Sequence, residues 1–369
     1  MPLHDGTTYN SYLIRGSGQT ALIETVYFPF AAEYLETLKK AGVERIDYVV
    51  ANHAEQDHSG SIPAVLAAYP EAKVVTNARC RGMLTEAMPI DGSRFIEVED
   101  GGTLSLGNKT LHFYSTPWVH WPETMVTYLA EDKILFTCDL FGSHLAASSL
   151  YADDERRVYR AAKSYYAEIM MPFRSHIEKH LQKLAPLSIE TIAPGHGPVY
   201  RRPEFILDLY KRWVAAPPCA EVVIPYVSMY DSTTRMVGYL TDRLMERGLT
   251  VLPFNMAGGD AGRFAVALVE ASTLVFATPA VLAGPHPDIV SAAYLANALK
   301  PKTKFAATIG SFGWGGNVVS KKMEELLGGL KVQFFDPVLT KGQPNDEDFR
   351  ALDRLVEQIE TANRAMEAA

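Results

Sequence analysis

The sequence predicts two unlike layered folds in tandem. An α+β, αββα sandwich is expected over residues 1–217, followed by an α/β doubly wound parallel sheet over residues 218–369. The first observation is a seam, Val214-Ala-Ala-Pro217-Pro218-Cys-Ala-Glu221, where two prolines and small residues stop a helical stretch (Pro203 to Trp213) and a new strand begins. The second lies before the seam, where short strands are broken by turn signals at Gly16-Ser-Gly18, Gly101-Gly102 and Leu106-Gly-Asn108. Helical runs intervene near 29–41, 60–69, 77–88 and 155–184. The third is regular alternation after the seam: EVVIPYV, TVLPF, TLVFATP, KFAATIG and KVQFF each lead into a helix-like segment. The C-terminal stretch from Asp346 reads as one amphipathic helix with Leu352, Leu355 and Ile359 on a face.

Composition narrows the function classes. Hydrophobic content of 47% and charged content of 21% are ordinary for a globular protein. A net charge of −8 argues against a nucleic-acid partner. No apolar run reaches the roughly 18 residues of a membrane span, and MPLHDGTTYN lacks the basic and apolar regions of a signal peptide. Cys80, Cys138 and Cys219 form no CxxC pair, which favours a reducing cytoplasm over a disulfide framework. The same scarcity excludes a fused iron–sulfur or rubredoxin-type module, so electrons, if used, enter from another protein or a soluble carrier.

Four apolar strand-like runs end at a His or a carboxylate. IDYVVA runs into His53-Ala-Glu55-Gln-Asp57-His58, TLHFYS leads to His120, KILFTC stops at Asp139, and IETIAPG stops at His196. Four imidazoles and three carboxylates are a sensible set for two metal ions. Extended backbone would send His53 and Glu55 to one side, towards one metal, with Asp57 and His58 turning towards a second. His120 and His196 would complete the two sets, and Asp139 could bridge. The set holds no thiolate and is rich in oxygen, which suits iron or manganese at least as well as zinc. Any one of these histidines alone is more often a satisfied loop residue; seven converging without purpose would be a costly cluster of like charge. His144, close after Asp139, is a candidate neighbour of the site, and Trp121, Tyr165 and Tyr166 are candidate pocket neighbours that the sequence does not place. His176 and His180, four apart on a probable helix, read as surface residues.

After the seam, the first strand meets its helix at Ser228-Met229-Tyr230-Asp231-Ser232-Thr233. Hydroxyls and backbone N–H groups at a helix start make an anion site. Two later strand tips, Thr278-Pro279-Ala280 and Ser311-Phe312-Gly313-Trp314-Gly315, could cradle and cover a flat ring. Each tip has a bland reading as an N-cap or turn; three together on the first, third and fourth strands point to FMN. No GxGxxG opens either domain, which disfavours a dinucleotide.

Taken together, His-x-Glu-x-Asp-His at 53–58, HWPET at 120–124, FTCDLFG at 136–142 and PGHGP at 194–198 resemble the metallo-β-lactamase superfamily, and more closely its flavodiiron branch, the A-type flavoproteins. The superfamily's hydrolases usually have His where Glu55 stands. The resemblance covers essentially the full chain and implies a metallo-β-lactamase-like domain followed by a flavodoxin-like one. It implies that His53, Glu55 and His120 hold one iron, that Asp57, His58 and His196 hold the other, and that Asp139 bridges. One departure is Asp231, at a place that is often Gly in flavodoxin phosphate loops. The resemblance further implies reduction of dioxygen to water or of nitric oxide to nitrous oxide. Electrons would come from rubredoxin, a flavin reductase or reduced F420, in a head-to-tail homodimer of the minimal type without appended carriers. Two other classes stay open at this point: a di-zinc hydrolase, and an electron-transfer protein with an inactive metal site.

Overall fold

The computed structural model describes residues 3–368. The chain parts into two compact units between Ala215 and Ala216.

The first unit is built on two sheets. One contains β1 (Tyr12–Arg15), β2 (Thr20–Ile23), β3 (Tyr48–Val50), β4 (Lys73–Thr76) and β5 (Phe95–Glu97), in chain order. The other contains β6 (Thr103–Ser105), β7 (Thr110–Ser115), β8 (Met125–Leu129), β9 (Ile134–Cys138) and β10 (Thr191–Pro194), ordered β10-β9-β8-β7-β6. The two-residue period of a strand sorts the side chains. Leu22, Val49 and Val74 pack with Leu38, Val65 and Leu84 of the helices Ala31–Lys40, Ile62–Ala68 and Ala78–Ala87. Their neighbours Ile23, Val50 and Val75 face the other way and meet Leu111, Phe113, Met125 and Phe136 of the second sheet. The inner strands β2, β3 and β4 therefore bury both faces, which is why these runs read as continuously apolar.

The helical run expected over 155–184 is interrupted. Helix Glu155–Tyr165 passes through a π-helical turn, Tyr166–Met170, and a short 3₁₀ turn before helix Arg174–Leu184 begins. Pro172 lacks an N–H for the ladder at that point. The wide turn brings Tyr166 against Tyr210 and Trp213 of helix Pro203–Val214. His180 is buried, with Nε2 2.9 Å from the Pro117 carbonyl oxygen, so it is a packing residue and not the surface group its spacing suggested.

The second unit is a twisted sheet of β11 (Cys219–Tyr226), β12 (Thr250–Asn255), β13 (Ala271–Val281), β14 (Gly284–Pro285), β15 (Phe305–Phe312), β16 (Gln333–Phe334) and β17 (Val338–Lys341). Its order is β12-β11-β13-β15, with β16 and β17 both alongside β15, and every pairing is parallel except the hairpin β13–β14. The strand expected over KVQFF is cut to two residues because Pro337 follows, and pairing with β15 resumes at Val338. Val222, Ile224, Val275, Ala277, Ala307 and Ile309 form the core with Met236 and Leu240 of helix Ser232–Glu246 and Leu352, Leu355 and Ile359 of helix Asp346–Glu367. The last helix starts on a capping box between Asn345 and Asp348. Among the described residues no helix is long and apolar enough to cross a membrane.

Candidate metal centre and phosphate loop

All seven candidate ligands gather at one end of the first unit's two sheets. His53 and Glu55 lie in the loop after β3, and Asp57 and His58 lie on the short helix Gln56–Ser59. His120 precedes β8, Asp139 directly follows β9, and His196 follows β10. Because β9 and β10 are parallel neighbours, their ends bring Asp139 and His196 together.

The distances divide the seven into two trios around one carboxylate. Glu55 Oε2 is 3.2 Å from Nε2 of both His53 and His120, and Asp139 Oδ2 is 3.3 Å from the same two nitrogens. On the other side, His196 Nε2 is 3.2 Å from Asp57 Oδ2 and 3.3 Å from Asp139 Oδ1. His58 Nε2 is 3.0 Å from Asp139 Oδ1 and 3.7 Å from Asp57 Oδ1. All four imidazoles thus present Nε2, and Asp139 offers one oxygen to each trio. Asp139 Oδ2 and Asp57 Oδ1 are buried without a hydrogen bond. A buried carboxylate left this way costs several kcal/mol unless a cation completes it, so the donor set fits two metal ions.

The floor of the site is buried and its mouth is open. His53, His58, Asp139 and His196 are buried, whereas the side chains of Glu55, Asp57 and His120 are 38, 28 and 19% exposed. Access for a small ligand is from that side.

Without metal, the groups charge one another. Burial disfavours the imidazolium of His53, but Glu123, Glu55 and Asp139 outweigh it and hold its pKa at about 10. His196 is likewise pushed up to about 10 by Asp139 and Asp57 against its burial, and His120 to about 9 by Asp139 and Glu55. Burial also opposes ionisation of Asp139, yet His58, His120 and His196 keep it well below the carboxylate range.

Several supporting groups escaped the sequence reading. Glu123 Oε1 sits 2.6 Å from His53 Nδ1 and takes the Ala54 N–H at 3.0 Å. The Thr8 carbonyl oxygen lies 2.7 Å from His196 Nδ1. Tyr165, held by the last turn of its helix, donates its hydroxyl to Asp139 Oδ1 at 2.7 Å. Glu24 and Cys138 lie beside His58. Glu24 carried a usable signal, since the strand TALI also stops at a carboxylate. Glu123 carried a weaker one inside HWPET. Tyr165 was legible only as a candidate pocket neighbour, with nothing in sequence to place it on Asp139. His144, the candidate neighbour, packs its ring 5.7 Å from that of His196 and 4.8 Å from that of Tyr165.

In the second unit the three candidate tips follow β11, β13 and β15, which are adjacent parallel strands, so all three lie at the sheet's C-terminal edge. Asp231 has φ 60°, faces solvent and makes no cap to helix Ser232–Glu246. Left-handed backbone is what a Gly would supply at that position. Ser228 Oγ accepts the Thr234 N–H at 3.2 Å, and Thr233 Oγ1 is 3.4 Å from Ser311 Oγ. Ser232 and Thr233 are buried, while Met229 and Tyr230 project outward. Thr278 and Pro279 are buried strand residues; Thr278 Oγ1 accepts the His286 N–H at 2.9 Å, which shapes the β13–β14 hairpin beside Ala280. Phe312 is half-buried, Gly313 and Gly315 flank Trp314, and Trp314 is 70% exposed. A helix start that Asp231 leaves uncapped, between glycine-rich and aromatic tips, fits a phosphate bearing a flat ring system.

Comparisons with known proteins agree with both halves. Residues 7–197 match the family described as ODP family beta lactamase. The nitric oxide reductase of Moorella thermoacetica is 35% identical over 336 residues, covering 89% of this chain and 84% of that protein. The solved rubredoxin oxygen:oxidoreductase of Desulfovibrio gigas superposes with a TM-score of 0.94 at 30% identity, covering 99% of this chain and 93% of that one. The flavodiiron protein of Giardia intestinalis gives a TM-score of 0.92 at 29% identity, covering 99 and 91%. With a metallo-β-lactamase-like half, a flavodoxin-like half and relatives matched over 79 to 93% of their length, the chain belongs to the flavodiiron proteins, the type A flavoproteins.

Proposed function

We propose that the chain is an oxidoreductase that reduces dioxygen to water, nitric oxide to nitrous oxide, or both, drawing electrons from an external donor. The observation that carries this is Asp139, which splits its two oxygens between two N/O ligand trios. In this reading His53, Glu55 and His120 hold one iron, and Asp57, His58 and His196 hold the other. FMN would be held by Ser228, Met229, Tyr230, Ser232 and Thr233, by Thr278, Pro279 and Ala280, and by Ser311, Phe312, Gly313, Trp314 and Gly315.

When bound, FMN and the iron pair supply the electron transfer that side chains cannot. The chain's own residues position and protonate. Glu55, Asp57 and His120 border the open mouth, where a small neutral gas can enter. The buried floor excludes bulk water. Tyr165 keeps its proton, because burial and the Asp139 charge raise its pKa well above the usual value. Its hydroxyl therefore holds a proton at Oη, hydrogen-bonded to Asp139 Oδ1.

The donor is proposed to be rubredoxin, a flavin reductase or reduced F420, and the working form a cytoplasmic head-to-tail homodimer. The domain boundary at 217/218 separates the di-iron half from the FMN half in the same reading. Purified protein tests it directly, by visible spectrum and metal analysis. Flavin bands with about two irons per chain are expected from a site of this ligand count. Colourless protein carrying zinc would overturn the reading in favour of a hydrolase, and yellow protein without metal would reduce it to an electron carrier.

A further inference from the structure

The Nδ1 side of His58 is enclosed by three separate strand ends. Glu24 follows β2, Cys138 ends β9 and Gly195 follows β10. Glu24 Oε2 lies 3.7 Å from His58 Nδ1, and Cys138 Sγ lies 3.5 Å from the same atom. A methyl group at Gly195 would sit 2.5 Å from His58 Cε1 and 3.0 Å from Nδ1, so only Gly lets the backbone close there. Glu24 and Cys138 also adopt left-handed backbone, with φ of 60° and 50°. Such conformations persist where the surroundings over-determine them, and they cluster at working sites. Two of them meet at one imidazole.

Glu24 is 2% exposed, and its two oxygens have different duties. Oε1 accepts the Asn52 N–H at 2.8 Å, while Oε2 makes no hydrogen bond and faces His58. A histidine that ligates through Nε2 carries its proton on Nδ1, and that proton wants an acceptor. His53 has Glu123 for this purpose and His196 has the Thr8 carbonyl.

We propose that Glu24 is the positioning residue for His58: its Oε2, 3.7 Å from Nδ1 and without another partner, closes on Nδ1–H when metal is bound, which leaves Nε2 bare and aimed between Asp57 and Asp139 as a ligand of the second metal. This rests on the di-metal reading given above. The carboxylate holds the ring in the ligating tautomer, and Gly195 and Cys138 hold it in plane. Gln at position 24 keeps the shape but has one acceptor oxygen where two are needed. Either the Asn52 N–H or Nδ1–H then faces an NH₂ group.

The test loads the full-length protein with Co(II) and follows two readouts. One is the affinity for each ion by competition with a chelator; the other is the set of hyperfine-shifted, exchangeable imidazole N–H protons in the proton NMR spectrum. Glu24→Gln is expected to take up the first ion normally, to bind the second about 10–100-fold more weakly, and to lose the same N–H signal that His58→Asn loses. In a His58→Asn background, Glu24→Gln should cause no further loss of second-ion affinity. Cys138→Ala, which leaves the carboxylate as the remaining acceptor, should keep both the ion and the signal. An unchanged second-ion affinity with a full set of signals in Glu24→Gln overturns the proposal, as does an equal loss in the His58→Asn background. If Glu24→Gln does not fold, loss of the His58 signal in Cys138→Ala overturns it by assigning the acceptor to sulfur. Wild-type protein that binds fewer than two ions overturns the di-metal reading itself, which separates the two failures.

Discussion

At the scale of single residues, the site is a balance of like and unlike charge that metal ions would complete. Asp139 is the pivot, since each of its oxygens serves a different trio. Asp139→Asn keeps the volume but removes the charge that offsets the repulsion of two adjacent dications. Bound iron is expected to fall, and gas reduction with an artificial donor to drop to background, while the flavin content stays at one per chain by absorbance. Full iron and full turnover in that variant would remove Asp139 from the centre. Proton accounting offers a second check. With His53 and His196 raised to about 10 and His120 to about 9, all three are protonated at neutral pH before metal enters. Metal must displace those protons, so uptake acidifies a weakly buffered solution. Apparent affinity should then rise from about pH 7 to about pH 9 as proton competition weakens. An affinity flat over that range, read by chelator competition, would show that the histidines are neutral in the metal-free protein.

At the scale of elements, chemistry sits where strands end. The metal residues follow β3, β9 and β10 or precede β8, and the candidate flavin residues follow β11, β13 and β15. A rigid ladder fixes the position of its last residue better than any loop can, which is why both sites are built this way. Helix Ser232–Glu246 begins without a side-chain cap from Asp231, and Ser232 and Thr233 stand buried at its start. Ser232→Ala with Thr233→Val removes both hydroxyls while keeping apolar volume at position 233. Flavin is expected to be lost on gel filtration, with the metal content unchanged. Undiminished flavin in the double variant would move the phosphate away from this helix. Elements also explain where sequence reading fell short. Pro172 and Pro337 each interrupt an element that periodicity alone would run on, and the π-helical turn leading to Pro172 starts directly after Tyr165, the residue that reaches Asp139.

At the scale of the whole molecule, electrons must pass between a flavin on one unit and metals on the other. In the proposed head-to-tail dimer, each chain's flavin serves its partner's metals, so the two halves need not come from the same chain. Co-expressing a flavin-dead chain (Ser232→Ala, Thr233→Val) with a metal-dead chain (Asp139→Asn) tests this. Mixed dimers would pair one intact flavin with one intact metal centre and regain partial activity. Each variant alone would stay inactive. Heterodimers confirmed by mass that show no activity would overturn the arrangement.

The sequence by itself determined the two layered halves and singled out seven candidate metal ligands, which the fold gathers at one end of the first unit. Apolar strands that stop at His, Asp or Glu are a local pattern, and strand periodicity needs no distant partner to be legible. The same pattern, seen once more at Glu24, was passed over because a single carboxylate at a strand end has no companion in sequence. Strand alternation and the family resemblance already implied the division into two trios; only the tertiary structure decided which oxygen of Asp139 faces which trio, because Asp139 lies 81 residues from His58 and no spacing rule reaches that far. It also decided the supporting groups. Glu123 meets His53 across 70 residues and Tyr165 meets Asp139 across 26, contacts set by how the sheet ends and the helix above them pack. Local order is written in neighbouring residues, whereas the pairing of buried polar groups depends on which distant strands the core brings together.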